Sequence, residues 1–133
     1  MKKLEAYFKK DTYAQLTGIQ LLDVSEGRAK AMLAITEHHR NSAGTVHGGV
    51  IFTLADFAFA AAALSHGTVA VAINSSISFF KAVSEGMLYA EAREISIHPK
   101  LASYIVDVTN DKNERIASFQ GMAFRKKDML EIE

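Results

Sequence analysis

Residues 41–67 read NSAGTVHGGVIFTLADFAFAAAALSHG, and the fold turns on how this stretch is read. From Val50 to Leu64 apolar side chains occupy every helical face, which predicts a helix surrounded by protein. The run falls short of the ~20 residues a membrane span needs. Gly48 and Gly49 open the helix and His66-Gly67 ends it, while Gly44, Gly48 and Gly49 leave the backbone open to close approach. Between Arg40 and Lys81 the only formally charged residue is Asp56. A lone carboxylate in such a run is either buried at a desolvation cost or opens into a cleft where it is used.

Upstream, residues 3–17 suit a modest, broken helix with Leu4, Tyr7 and Phe8 on one face, Asp11 or Thr12 as a restart cap and Gly18 as a stop. Ile19–Val24 and Arg28–Ile35 read as a hairpin turned by Ser25-Glu26-Gly27, with Ala29, Ala31, Leu33 and Ile35 facing inward. Downstream the period changes to two. Val69–Phe80 is predicted as a long, largely buried strand. Met87–Ile97 follows, with a phase slip near Arg93-Glu94 that a bulge would cause. Leu101–Thr109 places Ala102, Tyr104, Val106 and Val108 on one face, and Arg115–Arg125 places Ile116, Met122 and Phe124 on one side before a charged tail. Four consecutive strands with short turns imply an antiparallel sheet folded around the apolar helix, an α+β arrangement. The helix is short for a full sheet, so the sheet is expected to pair with another subunit.

The 133 residues suit a single domain, 1–133, long enough to bury roughly two thirds of the unfolded surface. Lys plus Arg equals Asp plus Glu at 15 each, so no global field recruits nucleic acid or an anionic membrane. The absence of cysteine excludes disulfides, thiolate catalysis and cysteine-ligated zinc. MKKLEAYFKK lacks the apolar core of a secretory signal, which points to a cytoplasmic protein.

The constellation that carries chemistry is Asn41, His47, Gly48 and Asp56. With Gly48 or Gly49 first in the helix, free N–H groups and the positive end of the dipole face whatever lies over the helix start, a ready oxyanion donor. Asp56 lies eight residues on, roughly 12 Å along the axis, too far to act with the same helix end on one small group. Either the helix starts differently, or Asp56 works with the helix terminus of a second copy.

The run NSAGTVHGGVIFTLAD, with the strand order and the later Phe79-Phe80-Lys81, resembles the active-site segment of hotdog-fold acyl-CoA thioesterases of the phenylacetate-degradation and 4-hydroxybenzoyl-CoA types. The resemblance implies an antiparallel sheet of about six strands wrapped around one long helix, homodimers that commonly pair into tetramers, and an active site at the subunit interface. It implies hydrolysis of an aryl acyl-CoA with no metal and no cofactor, coenzyme A being part of the substrate. Asp56 matches the catalytic carboxylate, Gly48 the glycine whose N–H polarises the carbonyl, and His47 and Asn41 the residues that shape the site. His47 also suits a helix cap, and Asn41 a local turn. Gly49, Phe52, Asn74, Lys81 and Lys100 are secondary candidates for substrate contact, the lysines for coenzyme A phosphates. The serine or threonine that relatives often use to assist the water corresponds here to Ala72 or Ala60, leaving Asn74, Ser75 or Ser76 to substitute according to strand phase. The usual proline near Ala82 is absent. Rival expectations are a hotdog hydratase or dehydratase acting on an acyl thioester, and a non-catalytic acyl-CoA binding module. His38-His39 is expected as a solvated pair, and His66 and His98 as turn residues.

Overall fold

A computed structural model describes residues 2–131, so Ile132 and Glu133 of the charged tail lie outside it. The chain runs α1 (Lys2–Phe8), α2 (Thr12–Thr17), β1 (Ile19–Ser25), β2 (Arg28–Ala34), a short 3₁₀ turn (Glu37–His39), α3 (Gly48–Leu64), β3 (Thr68–Phe79), β4 (Met87–Ile97), β5 (Leu101–Asn110) and β6 (Arg115–Met129). The six strands form one antiparallel sheet in the order β1-β2-β4-β5-β6-β3, which wraps α3. This is the α+β hotdog arrangement.

The N-terminal helix is broken, and Asp11 makes the restart. Its Oδ1 accepts from the Ala14 N–H at 3.0 Å, and Gly18 at φ 94° stops α2. On the inner face of the sheet Ala31, Leu33, Leu88, Ala90, Tyr104, Val106, Val108 and Phe119 are fully buried against Leu54, Ala55, Ala58 and Phe59 of α3. The helix crosses β6 closely enough that a Cβ on Gly121 would stand 3.0 Å from the rings of both Phe59 and Phe119, so any larger residue requires these rings to shift.

Three details differ from the sequence reading. β3 is an edge strand, with Val71 and Ile73 about half exposed, because only β6 pairs with it. Its alternation also slips between Ala72 and Asn74, where the register shifts. Ser75, Ile77 and Phe79, paired with Gly121, Phe119 and Ala117, therefore follow Ala72 on the inner face, while Asn74 and Ser76 turn outward. In β6, Ile116 is inside but Met122 and Phe124 are outside. Ile116 and Ala117 are both fully buried beside a register shift, after which the inner positions are Phe119, Gly121 and Ala123. Finally, α3 is not enclosed on every side. Gly49, Thr53, Asp56 and Ala60, spaced three to four residues apart, form its partly open stripe.

His39 is not solvated either. At 7% exposure its Nε2 donates to the Thr17 carbonyl at 2.6 Å and its Nδ1 accepts from the Thr36 N–H at 2.9 Å, tying the loop before α3 to α2. His66 lies in the turn after α3 as expected, and its Nε2 donates to Glu94 at 2.7 Å, where the Tyr104 hydroxyl also donates at 2.7 Å. Burial, then the Glu94 contact, raises the Tyr104 phenol above its ordinary range. These bonds fasten the far end of α3 to β4 and β5. No described helix is long and apolar enough to cross a membrane.

Candidate active site

The helix starts at Gly48, so the first of the two geometric alternatives is closed. His47 is the N-cap, with its Nδ1 accepting the Gly49 N–H at 2.9 Å, and its carbonyl accepts from Val50 at 2.9 Å. Among the described residues the Gly48 N–H has no acceptor. A donor at the positive end of a 17-residue helix thus remains free to meet an oxyanion. The Phe79 ring lies over this point, and a Cβ on Gly48 would stand 3.2 Å from its Cζ.

Asn41 shapes the approach to that helix end. Its Oδ1 accepts from the N–H groups of Ala43 at 3.0 Å and Thr45 at 3.2 Å, and its Nδ2 donates to Thr45 Oγ1 at 3.1 Å. The side chain is spent within its own loop, closing the 41–45 turn that leads to His47.

Asp56 lies about two turns along α3 from Gly48, roughly 12 Å. It opens into a cavity of about 170 Å³ that it shares with Phe52, Thr53, Phe57 and Ala60 of α3 and with Asp11, Tyr13 and Ala14 at the start of α2. Burial, followed by the like charge of Asp11, raises the Asp56 carboxyl above its ordinary 3.8. Among the described residues no donor counters that shift. Asp11, Tyr13 and Thr53 were not found from sequence. Thr53 was accessible to that reading, being three residues before Asp56 on one helical face, but Asp11 and Tyr13 reach the cavity only because α2 docks there. Thr53 donates to the Gly49 carbonyl at 2.7 Å, and its oxygen can still accept a bond. Ala60 and Ala72 carry no hydroxyl; the strand phase leaves Ser75, not Asn74 or Ser76, on the inner face.

The remaining expected contacts lie apart from Asp56. Asn74 lines an outer-face cleft with Ser76, Ser103 and Gln120. Lys81 pairs with Glu114, which with Asn110 holds that carboxyl below its ordinary 4.5. Lys100 stands at the other end of β5, about 33 Å away along a ten-residue strand, so within one chain the two lysines cannot hold one phosphate cluster. No three described His, Asp or Glu side chains gather as a metal site.

The sequence pattern of the Thioesterase superfamily matches residues 43–117, which include α3 and Asp56. The chain belongs to that superfamily, and it is a thioester hydrolase. A protein of Archaeoglobus fulgidus that carries only a general esterase designation is 42% identical over 119 residues, 89% of this chain and 77% of its own. The acyl-coenzyme A thioesterase PaaI of Escherichia coli is 30% identical over 121 residues, 90% of this chain and 86% of its own. The structure of Escherichia coli PaaI, from the phenylacetic acid degradation operon, superposes with a TM-score of 0.93 at 28% identity, covering 98% of this chain and 95% of that one.

The Asp11 contact has a measurable consequence. Asp11→Asn keeps a competent N-cap but removes the like charge. If ionised Asp56 drives hydrolysis, the acid limb of kcat/KM moves toward lower pH in this variant. The move is partial, since burial is the larger cause.

Proposed function

We propose that the protein hydrolyses an aryl acyl-CoA, of phenylacetyl, benzoyl or hydroxybenzoyl type, to the free acid and coenzyme A, and that each active site joins Gly48 of one subunit to Asp56 of another. The observation that carries the reading is the Asp56 carboxylate, the one charge on α3, opening into a largely apolar cavity two turns from a free helix-end N–H that it cannot share within one chain. Thioester hydrolysis needs both parts: a group that attacks or activates water, and a fixed donor where the oxyanion forms. Asp56 either adds to the carbonyl carbon, giving an anhydride that water opens, or takes a proton from the water that adds. In both routes the carbonyl oxygen gains charge against Gly48 N–H, and the C–S bond breaks to release the thiolate, which is then protonated. The positive end of a partner's helix near Asp56 favours its charged form and offsets the cost of burial.

The pairing is supported by β3, a twelve-residue strand with an unpaired edge and half-exposed Val71 and Ile73. Long apolar edges of this kind pair with another chain. Outward-facing Val71, Leu101, Met122 and Phe124 offer a further surface on which dimers can stack into a tetramer. Aryl preference is supported by the cavity at Asp56, close to the ~150 Å³ that accommodates a benzene ring, and by its Phe52, Phe57 and Tyr13 walls. Free thiol released from a panel of aryl and straight-chain CoA esters tests the reading. Faster release from single-ring aryl esters is expected. Enoyl-CoA absorbance changing without thiol release would instead indicate a hydratase.

A further inference from the structure

We infer that Tyr13 sets the size of the acyl group accepted at Asp56, its ring forming the adjustable wall of the cavity that receives a single aromatic ring. The inference rests on Asp56 being the reacting group.

The other walls are fixed. Phe57 is buried and packed edge-on against Phe8 with ring centroids 5.2 Å apart, and Phe52 meets Phe119 in the same way at 5.4 Å. Changing either ring disturbs the core, because close-packed neighbours do not move independently. Thr53 is tied to the Gly49 carbonyl at 2.7 Å, and Ala60 offers only a methyl group.

Tyr13 is different. It is 61% exposed, and among the described residues no hydrogen bond holds its hydroxyl. Its backbone is anchored, since its carbonyl accepts from Thr17 Oγ1 at 2.9 Å and α2 is capped at both ends. A capped helix carrying one unbonded aromatic side chain in the wall of the Asp56 cavity suits a selective element. The ring can stack on an aryl group and limit how far a second ring extends. Leu16, on the same short helix but 83% exposed and absent from the cavity wall, provides a matched control.

The test compares benzoyl-CoA with 2-naphthoyl-CoA. With Tyr13→Ala, the ratio of kcat/KM for naphthoyl over benzoyl is expected to rise about tenfold, within the range set by apolar pocket contacts, through KM more than kcat. Tyr13→Trp is expected to lower the ratio, and Leu16→Ala to leave it unchanged. Dissociation constants for both esters on the Asp56→Asn protein should shift in the same sense. Folded Tyr13 variants whose ratios match wild type in turnover and in binding would overturn the inference. Wild type that releases no thiol from any ester would overturn the hydrolytic reading instead, while the binding ratios still decide the role of Tyr13.

Discussion

Replacing Asp56 with asparagine lowers thioester hydrolysis by about 10² to 10⁴, the range associated with a positioned general base, and raises stability at neutral pH. The two effects share one origin. Burial and Asp11 hold the folded-state carboxyl above 3.8, so the folded chain binds this proton more tightly than the unfolded chain. Stability from that group is full below the unfolded value and is lost as pH rises through the folded value. Asparagine never ionises and so avoids the loss. Thermal unfolding across a pH series should show the variant above wild type at neutral pH, with the gap closing as pH falls toward 4. A partner's helix end offsets part of the cost, so the gap should widen when the subunits are separated. An Asp56→Asn protein as active as wild type would remove Asp56 from the mechanism.

Gly48→Pro is expected to lower kcat by about 10² to 10³, the loss associated with one oxyanion donor, while keeping the fold. Proline removes the N–H at the first helical position, where its fixed φ suits the helix and no intrahelical bond is lost. His47, at φ −60° and ψ 134°, already has the extended conformation required before proline. The added Cβ stands 3.2 Å from the Phe79 ring, which is half exposed and free to yield. Gly48→Ala introduces the same contact but retains the N–H, so the gap in kcat between the alanine and proline variants measures the donor. Equal activity in the two would mean that the Gly48 N–H does not polarise the carbonyl.

The helix and its lone charge were legible because their signals are local. An uninterrupted apolar run with glycines before it and one carboxylate inside it has few other readings. The hairpin at Gly27, the cap at Asp11 and the bulge after Arg93 followed from residue chemistry in the same way. What sequence could not show depends on partners distant in the chain. The slip at Ile73 reverses the facing of Asn74 and Ser75, yet Asn-Ser-Ser carries no mark of it. β3 reads as a buried strand because its apolar content matches one, and within a single chain that content remains at an open edge. His39 is buried through the Thr17 carbonyl, 22 residues away, and Tyr13 joins the Asp56 cavity only because α2 docks on α3.

The division of one active site between two subunits is tested most directly by mixing. Asp56→Asn and Gly48→Pro proteins, each retaining about a hundredth of the wild-type rate or less when alone, are unfolded together and refolded in equal amounts. If Gly48 and Asp56 act across the interface, half of the dimers are mixed and each of these restores one of its two sites. Thiol release should return to about a quarter of the wild-type rate. If both groups acted within one chain, every site would retain a lesion, and the refolded mixture would be as inactive as its parents.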